Sequence, residues 1–183
     1  MVYTIDIAGL SRDLPLCPLS GELNIAAFVL FGDVELTEHC AKKLSEIAPP
    51  HDVMITAESK GIPLVYAMAH HMGVNRYILA RKSPKLYMRD VKKYEVQSIT
   101  TSARQTLYLD GEDAEYMKGK RVLIVDDVIS TGASLEALEH LVTASGGTVA
   151  GKMAVLAEGD AINRADVIAL APLPLFDKDG RAL

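Results

Sequence analysis

The sequence predicts an α/β protein, with a central, mostly parallel sheet flanked by helices. Three observations carry this reading. Short, largely apolar runs at 52–57, 76–80, 121–127, 148–158 and 165–173 have the length of strands, and the most continuous of them suit strands buried on both faces. Segments with helical spacing of apolar residues lie among them. The two kinds of segment alternate, as they do in a parallel sheet whose crossovers are helices. At 183 residues the chain is near the size of one ordinary domain, and residues 1–183 are expected to form one.

Taken in order, residues 35–48 (ELTEHCAKKLSEIA) place Leu36, Cys40, Leu44 and Ile47 on one side of a helix, which Pro49 and Pro50 stop. DVMITA, 52–57, is the first clear strand, so about fifty residues precede any expected strand. GIPLVYAMAHHMG, 61–73, reads as a helix with Pro63 in its first turn and Gly73 at its end. RYILA, 76–80, is a strand, and the β-branched, alternating stretch 96–109 predicts a hairpin or two extended segments. RVLIVDD, 121–127, is an apolar strand ending in two acids. Residues 133–147 form an amphipathic helix through Leu135, Leu138, Leu141 and Val142, closed by Gly146 and Gly147.

Composition narrows the function. The 19 Lys and Arg against 24 Asp and Glu leave a net charge of −5, which argues against a nucleic-acid partner. It leaves room for a local basic pocket around one small anion. The 49% hydrophobic and 23% charged residues are those of a globular chain, not a disordered one. Cys17 and Cys40 are too few for a metal array or a disulfide framework, and reduced thiols are expected. The start MVYTIDIAGLSRD has no basic n-region, and no apolar run approaches the ~20 residues of a membrane span. A cytoplasmic protein with no membrane partner is expected. His70 and His71 would face different sides of one helix, and no P-loop, G-x-G-x-x-G or G-x-S-x-G pattern is present. Met54, Met68, Met72 and Met153 are expected to fill the core.

The informative segment is VLIVDDVISTGAS, 122–134. A buried strand carries Asp126 and Asp127 to its carboxyl end, where open α/β sheets bind ligands. The turn that follows opens a helix, whose free N–H groups and positive dipole end suit a phosphate. Thr131 and Ser134 can add hydroxyl donors, and Gly132 lets a ligand approach the backbone. Adjacent carboxylates accept hydrogen bonds from vicinal hydroxyls, so the ligand inferred is a sugar 5-phosphate.

This run resembles the phosphoribosyl pyrophosphate (PRPP) signature of the type I phosphoribosyltransferases. The resemblance implies an α/β fold with a small hood built from the terminal segments. It assigns the ribose hydroxyls to Asp126 and Asp127, and the 5-phosphate to Ser130, Thr131, Gly132, Ala133 and Ser134. Glu58-Ser59-Lys60-Gly61 is similar to the E-S-R-G loop of adenine phosphoribosyltransferases, which implies pyrophosphate binding by Ser59, Lys60 and Gly61. ARKSPKL, 80–86, resembles the R-K-x-x-K-L segment of the same enzymes. By that likeness Arg81 reaches pyrophosphate, Arg81, Lys82 and Lys85 form the catalytic cationic group, and roughly 83–103 is a closing loop. VLFGDV, 29–34, looks like their base-contacting segment, which puts Leu30 and Gly32 in the base pocket.

Two positions depart from the adenine pattern. Gly32 stands where the family usually has Arg, and Thr100-Thr101-Ser102-Ala103 replaces the usual L-E-Y-G with its proton-transfer Glu. That second stretch is closer to xanthine-type enzymes and to PRPP-binding regulators. The function implied is transfer of a phosphoribosyl group from PRPP to a purine, adenine first, with Mg²⁺ carried on PRPP oxygens and no direct protein ligand. A xanthine- or guanine-type enzyme and a non-catalytic PRPP-binding regulator are the alternatives. A homodimer is implied by the resemblance alone.

Overall fold

The computed structural model describes residues 1–97 and 104–183. Thr100–Ala103, which carry the departure from the adenine pattern, lie outside the described residues.

Five strands form the central sheet: β4 (Val53–Ala57), β5 (Ile78–Ala80), β8 (Arg121–Ile129), β9 (Thr148–Glu158) and β10 (Ile168–Leu173). Their order is β10-β9-β8-β4-β5, and every neighbouring pair is parallel. The expected α/β class is what the chain adopts. Helices α1 (Val34–Ile47) and α2 (Gly61–Met72) pack on one face against Leu123, Val125, Met153 and Val155. Helix α4 (Ala133–Ala144) covers the other face with α3 (Gly111–Met117), against Val122, Ile124 and Ala154. The strand residues 122–125 thus alternate between two buried faces, which is why they read as one apolar run. Met54, Met68 and Met153 are buried, and Met72 packs against the core from its edge.

This order creates a switch point. From β4 the chain steps outward to β5; when it returns it places β8 on the opposite side of β4 and continues outward to β9 and β10. The helices after β4 and β8 therefore lie on opposite faces and leave a crevice between the carboxyl ends of those two strands.

Several expectations are corrected. Three strands precede residue 52: β1 (Val2–Ile7), β2 (Leu10–Pro18) and β3 (Leu23–Ala26), which with β11 (Phe176–Asp177) make an antiparallel sheet. This sheet is the hood, and it buries Ile5, Ile7, Leu14, Ala26 and Phe176 against the α1 side of the core. Pro15 and Pro18 conceal β2, because proline argues against an interior strand. Here the Pro15 carbonyl still accepts from Ala27 N at 2.9 Å. β8 runs two residues past Asp127, because the long β9 offers partners out to Ile129↔Ala157. Both acids therefore sit inside the strand, beyond the last β4 pairing at Ile124↔Ile55. The hairpin expected within 96–109 is present but starts earlier: Lys92–Gln97 form β6, paired antiparallel with β7 (Arg104–Leu109), inside the stretch expected to close over the site. α3 was not expected; Asp110 caps it by accepting from Glu112 N, with Glu112 and Asp113 in the favourable first turn.

Cys17 and Cys40 are free, and burial pushes the Cys40 thiol up to about 12. Among the described residues no helix is long and apolar enough to cross a membrane.

Candidate functional site

The crevice at the switch point is lined by acids on one strand and by two helix starts. Asp127 is buried and Asp126 half-buried. Asp126 Oδ1 accepts from its neighbour's backbone, Asp127 N, at 2.9 Å and from Ser59 Oγ at 3.1 Å. Desolvation, followed by the charge of Asp127, holds the Asp126 carboxyl above the ordinary carboxylate range. Two carboxylates this close cannot both ionise cheaply without a counter-charge.

Lys60 supplies one. Its Nζ lies 3.0 Å from Asp127 Oδ2 and donates to the Phe28 carbonyl at 2.7 Å. Asp127 Oδ2 is nevertheless buried without an aligned hydrogen-bond donor among the described residues, so Lys60 meets it as an ion pair. Lys60 also faces Glu158, at the end of β9, whose carboxyl is raised by burial against the opposing pull of that lysine.

The turn holding Lys60 can come this close only because of Gly61. A Cβ there would stand 2.6 Å from Thr56 Oγ1 and 3.1 Å from Asp126 Oδ1. Gly61 N is held by Ser59 Oγ at 3.2 Å. The structure thus brings Ser59, Lys60 and Gly61 into contact with the diacid, as the sequence motifs required if they serve one ligand.

On the other side, β8 hands over to α4 through Ser130, Thr131 and Gly132. Gly132 is the N-cap at φ +85°, a conformation that favours glycine, and it brings no side chain of its own to cap the helix. Ala133 and Ser134 begin the helix.

The basic segment stands beside the α2 turn. Arg81 is pinned by backbone bonds to Tyr108, 2.7 Å from its N and 2.8 Å to its carbonyl. Its Nη2 lies 3.3 Å from Glu58 Oε1, and Lys85 Nζ is 3.8 Å from the same oxygen. Lys82 N donates to Glu58 Oε2 at 2.9 Å, while the Lys82 side chain is exposed. Glu58 is therefore held below its ordinary value, chiefly by the Lys82 N–H and then by the surrounding cations. Arg81 Nε is buried without an acceptor among the described residues. Glu58 stands in the same motif as Ser59, Lys60 and Gly61, but its clasp on Arg81, Lys82 and Lys85 is not legible there, because those partners lie more than twenty residues away.

Leu30 and Gly32 line a cavity of about 470 Å³ against Ile62, Pro63 and Tyr66 of α2. The entry to α1 is fixed by Asp33, which accepts from Leu36 N and from Arg12 Nε at 2.7 Å, so the hood strand β2 anchors the segment before it. Among the described residues no cluster of three His, Cys, Asp or Glu side chains could hold a metal ion.

The sequence profile of the phosphoribosyl transferase domain matches residues 35–165. The chain belongs to the phosphoribosyltransferase family. Its relatives include the hypoxanthine/guanine phosphoribosyltransferase of Methanosarcina mazei, 35% identical over 129 residues, 70% of this chain and 64% of that one. The adenine phosphoribosyltransferase of Thermotoga maritima is 31% identical over 150 residues, 81% of this chain and 83% of that one. Among solved structures, the adenine phosphoribosyltransferase of Rhodothermus marinus superposes with a TM-score of 0.68 at 25% identity, covering 94% of each chain. The phosphoribosyltransferase profile spans the crevice between β4 and β8, both helix starts and the Arg81 segment, and leaves all four hood strands outside.

Proposed function

We propose that this chain is a cytoplasmic purine phosphoribosyltransferase of purine salvage, acting as a homodimer and joining a purine to the phosphoribosyl group of PRPP, with adenine as the preferred base. What supports the reading most is the meeting, at one switch point, of Asp126 and Asp127 with the Ser59-Lys60-Gly61 turn and the start of α4. Each component suits a different part of one ligand. Asp126 and Asp127 take the ribose hydroxyls. Ser130, Thr131, Gly132, Ala133 and Ser134 take the 5-phosphate on backbone N–H groups and the helix dipole. Ser59, Lys60, Gly61 and Arg81 take pyrophosphate, and the buried Nε of Arg81 gains an acceptor it otherwise lacks. The base lies against the segment of Leu30 and Gly32, whose approach is tied to the diacid by the bond from Lys60 to the Phe28 carbonyl.

In the reaction the bond from the anomeric carbon to pyrophosphate oxygen breaks and a bond to a purine nitrogen forms. The electron pair leaves with pyrophosphate, toward Lys60 and Arg81, with Lys82 and Lys85 adding positive charge alongside. Asp126 and Asp127 hold the ring while positive charge develops on it, and the purine nitrogen gives up its proton to solvent water. Positioning and leaving-group stabilisation supply most of the rate. The carboxylates at this site suit Mg²⁺ held mainly by PRPP oxygens and retained waters, as a small hard cation on phosphates prefers. When bound, Mg²⁺ neutralises pyrophosphate charge. A hypoxanthine- or guanine-type substrate is the second reading, favoured by the Methanosarcina mazei relative.

The test is incubation with PRPP, Mg²⁺ and, separately, adenine, guanine, hypoxanthine and xanthine, following pyrophosphate release. Release with adenine above the others is expected. PRPP binding without turnover on any base would replace the enzyme by a PRPP-binding regulator.

A further inference from the structure

The proposed 5-phosphate cradle is one contiguous segment, Ser130–Ser134, and its crown at Gly132 is already approached from elsewhere in the chain. A Cβ at Gly132 would fall 2.8 Å from Arg164 Nη1. Arg164 follows the short 3-10 turn Gly159–Asn163, which leaves β9 at the carboxyl edge of the sheet. Since β8 and β9 pair out to Ile129↔Ala157, the two strands release their loops side by side. A guanidinium from one loop thus overhangs the other.

Its orientation is fixed. Arg164 Nε donates to Asp166 Oδ1 at 3.0 Å and Nη2 to Asp166 Oδ2 at 2.7 Å. This two-pronged pair sets the guanidinium plane and spends the Nε–Nη2 edge, leaving Nη1 turned toward Gly132. Lys152 Nζ holds Asp166 Oδ2 at 2.7 Å and also pairs with Glu139 on α4. The contacts Glu139–Lys152–Asp166–Arg164 therefore run from the body of α4 back to the turn at its N-terminus. The two carboxylates balance the two cations over the whole set, but the end at the turn is positive. It adds to the dipole of α4 where an anion would sit. The Arg164 side chain is 32% exposed, so a ligand in the crevice can reach it.

We propose that Arg164 is a phosphate-binding residue of this site, donating from Nη1 to the 5-phosphate monoester of the phosphoribosyl group, with Asp166 as its positioning residue. This rests on the phosphoribosyltransferase reading and extends it to a residue outside the signature segment.

Calorimetric titrations of the wild type, Arg164→Ala, Arg164→Lys and Asp166→Asn with ribose 5-phosphate and, separately, with pyrophosphate test it. Arg164→Ala is expected to weaken ribose 5-phosphate by roughly tenfold or more, the loss of one charge-assisted hydrogen bond. Pyrophosphate affinity stays unchanged, Arg164→Lys recovers part of the loss, and Asp166→Asn shows a smaller one. In turnover the KM for PRPP rises and that for the base does not. Equal ribose 5-phosphate affinity in wild type and Arg164→Ala would overturn the proposal, as would equal losses of both ligands, which mark a structural defect. A wild type that binds neither ligand would overturn the phosphoribosyltransferase reading before any variant is made.

Discussion

The two loops flanking the diacid are built by different means. At the start of α4 the candidate site is mostly backbone: a glycine N-cap at φ +85°, which brings no side chain of its own to the helix end. At the start of α2 it is made of side-chain cations that already rest on carboxylates, Lys60 on Asp127, and Arg81 and Lys85 on Glu58. On the function proposed above, pyrophosphate entering the second loop would exchange one set of anionic partners for another. A chain of net charge −5 would then hold a heavily charged ligand because its acids neutralise the cations until the ligand replaces them.

The largest expected effect comes from removing what both loops share. Asp126→Asn with Asp127→Asn should lower PRPP affinity on the order of 100-fold, two hydroxyl-to-carboxylate bonds being lost, with circular dichroism unchanged. Next is Lys60→Met, which breaks only the α2 side. Pyrophosphate affinity should fall roughly tenfold while ribose 5-phosphate is spared. Denaturant unfolding should show a loss of about 1–3 kcal/mol, because the buried Asp127 side chain loses its ionic partner; the upper end is discounted because Lys60 is 37% exposed.

A pH titration sharpens the same comparison without ligand. Asp126 has its folded pKa raised, so the native state binds more protons than the unfolded state over that window. Its contribution to stability is present below the ordinary carboxylate range and lost as pH rises toward neutrality. Asp126→Asn should therefore gain in melting temperature relative to wild type between about pH 4 and pH 7. A constant difference across that range would mean that burial does not hold the proton on Asp126. The smallest effect is expected from Glu58→Gln, which frees Arg81 and Lys85 while keeping an acceptor for Lys82 N. Pyrophosphate affinity should rise by about two- to fivefold at low salt, with ribose 5-phosphate unchanged, as suits partly exposed ion pairs. No change would mean that the carboxylate does not compete with the ligand.

The α4 side was also the more legible in the sequence, for the same physical reason. A strand, two acids and a glycine turn before a helix lie in thirteen consecutive residues, and local chain chemistry is enough to place them. The unbroken apolar run Val122–Val125, with the alternation of strands and helices around it, announced the parallel sheet as directly. The α2 side is assembled from distance. Neither the tie between Lys60 and the Phe28 carbonyl, nor the clasp of Glu58 around Arg81, Lys82 and Lys85, has a periodicity or motif of its own. Arg164 is hidden in the same way, reaching Gly132 from 32 residues further along. The hood was implied by the family resemblance alone, because Pro15 and Pro18 interrupt its longest strand and hide its pattern; pairing with β1 and β3 outweighs their cost. The acids were placed at the end of β8 because only β9, not β8 itself, determines how far the pairing runs.

The most direct test of the central claim is a calorimetric titration of the ligand-free wild type with PRPP in the presence of Mg²⁺ and without any base. Saturable binding at one site per chain, competed by ribose 5-phosphate and by pyrophosphate separately, is the result expected if both loops serve one ligand across the diacid. Absence of saturable PRPP binding, or competition by only one of the two fragments, would contradict it.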